Sequence, residues 1–494
     1  MQITSLYIDD CKLLKKFSIN FQKDVSILIG INGSGKSSIL ETIAQIFSDA
    51  FLKEKSKFGF KITYELRLEE ILAQTATTSD FKTEYITVEI SAEKPEDNLS
   101  FKVYAGTEII EKESEIVRHF GFFEKILPSN IVVYYSGLSD KMDKICAVHE
   151  NIQRRELYKG NFSAANKFFY YRPQAFNLLF LSLLSYEYGN VNEYIHEKLR
   201  MTELYSFSIV LKRPESSWAK GKDVNDFWGA KGVLREFCEV LNRWAKYTVI
   251  ENQEEISFNF NSLTRLYELK NHYQEEKRLF ELLYIAQQEG LIKEINIDIN
   301  KGQVKTDSIP QNGEVSVSSN NFSEGELQLL AIKGLTELLS DKNTLFLFDE
   351  PNTYLHPSWQ RSFIEEIITF VENLNSDKNQ FLITTHSAQL LSNSNPDKSE
   401  VQIMEDGEVV EITPKYYGRD ISTILYELMG VERRNKKVAK LISNLFNLIE
   451  DENLEQAVTE YNSLGTLLGE DDPTLIRAKT QLDYLEEASN EAHN

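Results

Sequence analysis

The run GINGSGKS, Gly30 to Ser37, follows the apolar stretch DVSILIG and leads into KSSILETIAQIF. Few folds can accommodate this combination. A short apolar strand, a glycine turn and a helix opening on Lys-Ser make the strand–GxxxxGK[ST]–helix unit of helix-covered α/β sheets. The turn's backbone N–H groups and the helix N-terminus form an anion cradle, in which Lys36 reaches the β- and γ-phosphates and Ser37 ligates Mg²⁺. ATP and Mg²⁺ are therefore the expected ligands. The candidate contacts are Gly30, Asn32, Gly33, Ser34, Gly35, Lys36, Ser37 and Ser38.

Two later segments supply partners for that loop. NTLFLFDE, Asn343 to Glu350, is an apolar strand that ends in two carboxylates. Asp349 at the strand end is placed to hold Mg²⁺, and Glu350 beside it to polarise the attacking water. QFLITTHS, Gln380 to Ser387, brings His386 to the end of another apolar strand, where a polar side chain projects at the nucleotide edge of an open α/β sheet. His386 is read as a γ-phosphate sensor, against the plainer reading of a packing histidine.

NFSEGELQLLAIKGL, Asn321 to Leu335, has two compatible readings. Ser323 with Glu326 three residues on is a capping box that starts a helix. A capping box does not need Gly325, however. A serine hydroxyl, a glycine that admits close backbone approach and a helix N-terminus also make a second phosphate-binding surface.

Phosphate loop, S-x-G-E before a helix, apolar strand with Asp-Glu, then strand with His: this order resembles the heads of ABC-type ATPases, a family that includes transporter motors, SMC proteins and RecF-like repair ATPases. The resemblance covers residues 1–140 and 292–415 as two lobes. It implies an α/β P-loop head in which Ser323, Gly325 and Glu326 close over ATP held by another subunit, giving head-to-head dimers with nucleotide between them. PNTYLHPSWQ after Glu350 looks like the cytosolic, OLD-related branch rather than a transporter motor. No glutamine is assigned to the family's glutamine loop; Gln153 is the nearest candidate.

Within that branch, SEGELQLL, DEPNTYLHPSWQ, YYGRDISTILYELMGVERR and DENLEQAVTEYNSLGTLLGEDDPTLIRAK resemble the PtuA-like ATPases of Septu-type and retron-associated antiphage systems. That resemblance implies a separate HNH-type nuclease as partner, oligomers larger than a dimer, and in a retron setting a reverse transcriptase with its noncoding RNA. It also implies that this chain has no nuclease site, and no HNH-like histidine cluster is seen. After His386 only about 100 residues remain, too few for the strand-borne acids of an OLD-type Toprim nuclease.

The alternative is a RecF- or SMC-like repair or chromosome-maintenance ATPase that clamps DNA. Arg154, Arg155, Lys159, Lys167 and Arg172, or RRNKK at Arg433–Lys437, would then contact nucleic acid; as plain surface they would only be solvated. The net charge of −22 opposes a chain coated in nucleic acid. Residues 441–494 hold twelve acids against Arg477 and Lys479, so −10 of that charge sits there and −12 is spread over the rest. A local basic groove is compatible with that balance.

The region 141–291 reads as a helical, aromatic-rich insertion and 416–494 as an all-helical C-terminal region. NSLTRLYELKNHYQEEKRLFELLYIAQQ is the best coiled-coil candidate, yet about four heptads are too few for a rod. The C-terminal faces Val438/Leu441/Ile442/Leu445/Leu448, Leu454/Ala457/Val458/Tyr461/Leu464 and Leu475/Ala478/Leu482/Leu485 suggest a helical hairpin on the core or a docking module. Three scattered cysteines, no apolar run near the roughly 20 residues of a membrane span, and an N-terminus unlike a signal peptide give the expectation of a cytoplasmic protein with no membrane partner.

Overall fold

The computed structural model describes residues 1–67, 84–106, 108–120, 122–137, 139–158, 167–216, 218–302, 314–373, 379–410, 415–429, 434–469 and 471–492. The chain divides into two compact units, Met1–Gly418 and Arg419–Asn494.

A seven-stranded sheet carries the first unit's nucleotide edge. Its order is Glu408–Val409, Glu400–Glu405, Val25–Gly30, Gln380–Thr385, Leu345–Asp349, Ile131–Tyr135 and Phe168–Tyr170. Every pairing is parallel except that of the first two strands. Val25–Gly30, Leu345–Asp349 and Gln380–Thr385 are buried at every position, as expected of central parallel strands covered on both faces. Helix Lys36–Leu52 packs Ile39, Ile43 and Phe47 into the same core as Leu345, Leu347 and Leu382.

The three β-rich runs after Phe58 and the opening antiparallel pair form one six-stranded antiparallel sheet, as expected from their alternation. Its order is Leu14–Asn20, Gln2–Cys11, Phe60–Arg67, Tyr85–Ala92, Ser100–Ala105, Glu108–Ile110. In Phe60–Arg67 every second residue is buried, so one face of the sheet feeds the core shared with Lys36–Leu52.

The region 141–291, expected to be a helical insertion, holds six α-helices among its described residues but also contributes strands. Met201–Lys212, Tyr247–Asn252 and Glu255–Phe260 are strands, joined by Ile292–Gly302 and Glu314–Ser318 in a five-stranded antiparallel sheet. Phe168–Tyr170 extends the parallel sheet. The coiled-coil candidate is two helices, Leu263–Tyr273 and Glu276–Gln288, separated where Gln274 turns to φ 71°. A left-handed residue ends an α-helix. Helix Phe176–Leu184, buried at eight of nine positions, lies against helix Glu324–Leu339, where a Cβ on Gly334 would stand 3.3 Å from Leu179. No helix among the described residues is long and apolar enough to cross a membrane.

The second unit is built on helices Lys436–Glu450, Leu454–Leu468 and Pro473–Ala492, preceded by Ile421–Met429. Leu445, Ile449, Ala457, Leu464, Leu475, Ala478 and Leu482 form its own core, so three helices pack together where a hairpin was expected. Within it Arg434 Nη2 donates to Asp472 at 2.8 Å and to Thr474 at the same distance.

Candidate functional site

The turn after Val25–Gly30 brings backbone close to backbone. A Cβ on Gly30 would stand 2.2 Å from the Met404 carbonyl oxygen and 2.7 Å from Ser34 Oγ, so no other residue fits there. Gly33 and Gly35 take φ of 85° and 102°, the left-handed region that points successive N–H groups into one concavity. Helix Lys36–Leu52 starts directly on this turn, with Gly35 as its N-cap and no side chain capping it. Ser34 is 2% exposed and its hydroxyl has no hydrogen-bond partner. Asn32 is exposed at the loop tip, while Ser38 lies in the first helical turn, its carbonyl accepting from Thr42.

Lys36 folds back over the turn, its Nζ donating to the carbonyls of Gly30 at 2.8 Å and Ile31 at 3.2 Å. Burial lowers its pKa, and the carboxylates of Glu350 and Asp349 act against that. An ammonium group held by carbonyls in a cradle of N–H groups is one rotamer change from an incoming phosphate.

Ser37 and Asp349 meet across the sheet. Ser37 Oγ donates to Asp349 Oδ1 at 2.8 Å and lies 3.0 Å from Oδ2, and Thr384 Oγ1 also donates to Oδ1. The register explains Thr384's place: its strand lies between the phosphate-loop strand and Leu345–Asp349, with Thr384 opposite Asp349. Asp349 is 5% exposed; burial pushes its carboxyl up, and the hydrogen bonds from Thr384 and Ser37 pull it back.

At Glu350 the chain leaves the strand with φ 52°, a conformation that costs a non-glycine residue about 1–3 kcal/mol. Its N–H donates to the Thr384 carbonyl at 3.1 Å, which fixes the turn. The carboxylate then reaches the next loop: Oε2 is 2.8 Å from His386 Nδ1 and accepts from the His386 N–H at 3.3 Å. His386 is 55% exposed at its side chain and Glu350 17%, so the pair opens to solvent beside the phosphate loop's lysine. Lys36, Ser37, Asp349, Glu350 and His386 are thus brought together from three strand ends.

Ser323, Gly325 and Glu326 are not part of that cluster. They open helix Glu324–Leu339, where Glu326 N–H donates to Ser323 Oγ at 3.3 Å and Ser323 N–H to Glu326 Oε2 at 2.9 Å, the capping box expected. Ser323 Oγ also donates to Glu326 Oε2, and among the described residues the hydrogen bonds of the exposed Ser323 go to Glu326 or along its own helix. Burial raises the Glu326 carboxyl, but Lys301, 2.6 Å away, and the Ser323 N–H bring it below its ordinary value. Gly325 has a local reason as well: a Cβ there would lie 3.0 Å from the Tyr354 carbonyl oxygen and 3.4 Å from the Trp359 ring.

The structure adds residues that no motif marked. Asn352 Oδ1 accepts from Thr385 Oγ1 at 2.9 Å. Gln360 Nε2 donates to the carbonyls of Asn352 and Leu355, and its Oε1 accepts from Ser387 Oγ at 2.7 Å. These amides tie the loop after Glu350 to the loop that carries His386. Asn352 lies inside PNTYLHPSWQ, but nothing in that string tells a brace from a solvated asparagine.

Several cations considered for nucleic acid are committed inside the chain. Arg172 grips Glu150 with both terminal nitrogens at 2.9 and 3.0 Å and also reaches Asp143; Arg154 pairs with Glu289 at 2.7 Å; Arg434 pairs with Asp472. Burial lowers the pKa of Lys167. Lys159 and Arg433 lie outside the described residues. Gln153 lies on helix Lys141–Tyr158.

A glycine cradle at a strand–helix turn, a serine hydrogen-bonded to a buried aspartate and a Glu-His pair beyond it are the arrangement of a P-loop ATPase head. The chain belongs to the AAA ATPase domain family, whose model matches residues 1–391. Two curated relatives are retron proteins. The retron Ec83 probable ATPase of Escherichia coli is 24% identical over 98% of this chain and 87% of its own length. The retron Vc95 probable ATPase of Vibrio cholerae serotype O1 biovar El Tor is 24% identical over 76% of this chain and 69% of its own. These relatives bear out the resemblance to retron-associated ATPases. Among solved structures, the SMC head domain from Thermotoga maritima matches at 12% identity with TM-score 0.34, over 84% of this chain and 100% of that one. ATP-bound RecF matches at 14% with TM-score 0.31, over 83% and 99%. Scores this low carry no argument beyond the likeness itself.

Proposed function

We propose that this chain is the ATP-hydrolysing subunit of an antiphage complex of the retron or Septu type, PtuA-like, in which ATP-dependent assembly controls a separate HNH-type nuclease. The observation that carries the reading is the division of labour within one chain. Lys36, Ser37, Asp349, Glu350 and His386 converge on one edge, whereas Ser323 stands apart and exposed with, among the described residues, no partner beyond Glu326 and its own helix. A phosphate-binding helix N-terminus away from its own phosphate loop suits the nucleotide of another copy. The two relatives, named as retron probable ATPases, support the retron part of this reading.

ATP binds with its phosphates in the Gly30–Ser38 cradle, and Lys36 exchanges two carbonyls for phosphate oxygens. Ser37 and Asp349 fit Mg²⁺: a hydroxyl and a buried carboxylate converge within 3.0 Å, the hard oxygen donors that ion prefers. Bound there, the ion would neutralise charge on the β- and γ-phosphates. Glu350 orients the attacking water and accepts its proton, while His386, released from Glu350, turns to the γ-phosphate. Ser323, Gly325 and Glu326 of a second copy close the site, so binding joins heads and hydrolysis releases or reshapes the assembly.

The DNA-clamp alternative is less favoured because Arg154, Arg172 and Arg434 neutralise acids within the chain. Co-expression with neighbouring genes, followed by mass measurement and a nuclease assay with and without ATP, tests the proposal. Co-purification of a nuclease whose cutting changes with ATP is expected. A chain that assembles with ATP yet neither binds nor alters any neighbouring product would refute it.

A further inference from the structure

The side-chain amide of Gln328 is 3% exposed and holds three segments together. Its Nε2 donates to the Tyr134 hydroxyl at 3.0 Å, and its Oε1 accepts from the Tyr354 N–H at 2.9 Å. Tyr134 stands opposite Phe348, the residue before Asp349, with the two rings edge-on at 6.2 Å. Its other side stacks on Tyr171 at 5.3 Å. Tyr354 belongs to the segment after Glu350 that Gln360 and Asn352 fasten to the His386 loop. Gln328 itself lies just beyond Ser323, Gly325 and Glu326 on their helix, and a Cβ on Gly325 would stand 3.0 Å from the carbonyl oxygen of the same residue, Tyr354.

A buried amide with both ends satisfied has one favourable position. Displacing helix Glu324–Leu339 would stretch one of the two hydrogen bonds of this buried side chain, so the segment after Glu350 is drawn along. We propose that Gln328 is a positioning residue, through which engagement of Ser323–Glu326 with the nucleotide of one copy sets Glu350 over the nucleotide of its own copy. This rests on the reading of Ser323–Glu326 as acting between copies and adds the route by which that contact reaches hydrolysis. Each head then hydrolyses ATP fast only while its helix N-terminus is engaged elsewhere.

The test compares full-length wild type, Gln328→Leu and Gln328→Glu in three measurements: affinity of a fluorescent ATP analogue with Mg²⁺ at protein concentrations too low for assembly, ATP-dependent mass, and the ATPase rate at saturating ATP. Gln328→Leu keeps the size of the side chain and removes both hydrogen bonds; a glutamate at the same place can still accept from the Tyr134 hydroxyl and the Tyr354 N–H. Gln328→Leu is expected to lower kcat about tenfold, roughly one network hydrogen bond's worth, with affinity and assembly unchanged. Gln328→Glu is expected to regain most of it. Hydrogen exchange at Thr353–Leu355 is expected to slow on ATP-dependent assembly in the wild type and not in Gln328→Leu. An assembly of Gln328→Leu that forms normally and turns over at the wild-type rate overturns the coupling. Ser323→Arg heads that still assemble overturn the between-copies reading instead. Should Gln328→Leu fail to fold, Tyr134→Phe removes one of the contacts at less cost; a smaller fall in kcat is expected, and an unchanged kcat overturns the proposal.

Discussion

Ser37 Oγ lies 2.8 Å from Asp349 Oδ1, although 312 residues separate them. The contact is made because Gln380–Thr385 inserts between their strands, placing Thr384 to hold the same carboxylate. Asp349→Asn keeps the shape and removes a charge that burial already disfavours. Hydrolysis is expected to fall at least about a hundredfold with the melting temperature unchanged or higher, because burial disfavours the charge that is removed. Paired ATPase and thermal-unfolding measurements check both halves.

Glu350→Gln keeps an acceptor for the His386 N–H while abolishing proton acceptance. A drop in turnover of about 10²–10⁴-fold is expected, with ATP-bound oligomers accumulating in mass photometry. Turnover at the normal rate would remove Glu350 from its role.

Ser323→Arg places a bulky cation where a phosphate is expected to be met by a hydroxyl and N–H groups. The exposed cap limits the loss of stability to about 1 kcal/mol. ATP binding to a single head should persist while the ATP-dependent increase in mass disappears, as light scattering would show.

Acid should loosen the first unit through His149. Its ring is buried, stacked on Phe168 at 4.1 Å, and its Nε2 lies 2.9 Å from Ser48 Oγ; burial pulls its pKa from 6.5 down to about 4. The folded state therefore favours the neutral ring, and the unfolded chain binds the extra proton between those values. Stability is fully present above pH 6.5 and is lost as pH falls towards 4, by roughly 2 kcal/mol between pH 7.5 and 5. Urea unfolding at the two pH values measures it, and His149→Gln should flatten the difference.

The readable parts of the site are those whose chemistry admits few residue types. Phosphate cradling needs glycine, lysine and serine at fixed spacing, and an acidic strand end follows from metal chemistry, so Gly30–Ser38, Asp349, Glu350 and His386 stand out in the sequence, and the structure joins Ser37 to Asp349 and Glu350 to His386, with Lys36 in the electrostatic reach of both carboxylates. Thr384, Gln328 and Gln360 escaped because each acts through a partner distant in sequence: a buried glutamine and a solvated one look alike until Tyr134 or Ser387 stands opposite. The strand Met201–Lys212 was hidden for another reason. Its buried residues fall at Met201, Leu204 and Phe207 and then run together at Ile209–Leu211, because its register against Ile292–Gly302 shifts three times, so it lacks a strand's alternation, and the aromatic helices on either side set the expected pattern.

The strand that leads into the phosphate loop, Val25–Gly30, is hydrogen-bonded on one side to Gln380–Thr385 and on the other to Glu400–Glu405. During synthesis the first is made early and both its neighbours very late. The nucleotide cradle therefore has no flanking strand until about residue 385 has cleared the ribosome and lacks the second until about residue 405, at a usual rate of 5–20 residues per second some tens of seconds after Gly30. For that interval a largely apolar strand waits unpaired on the nascent chain, a natural client for chaperones. A truncated product ending before Gln380 would carry the complete GINGSGKS motif and no means of folding it.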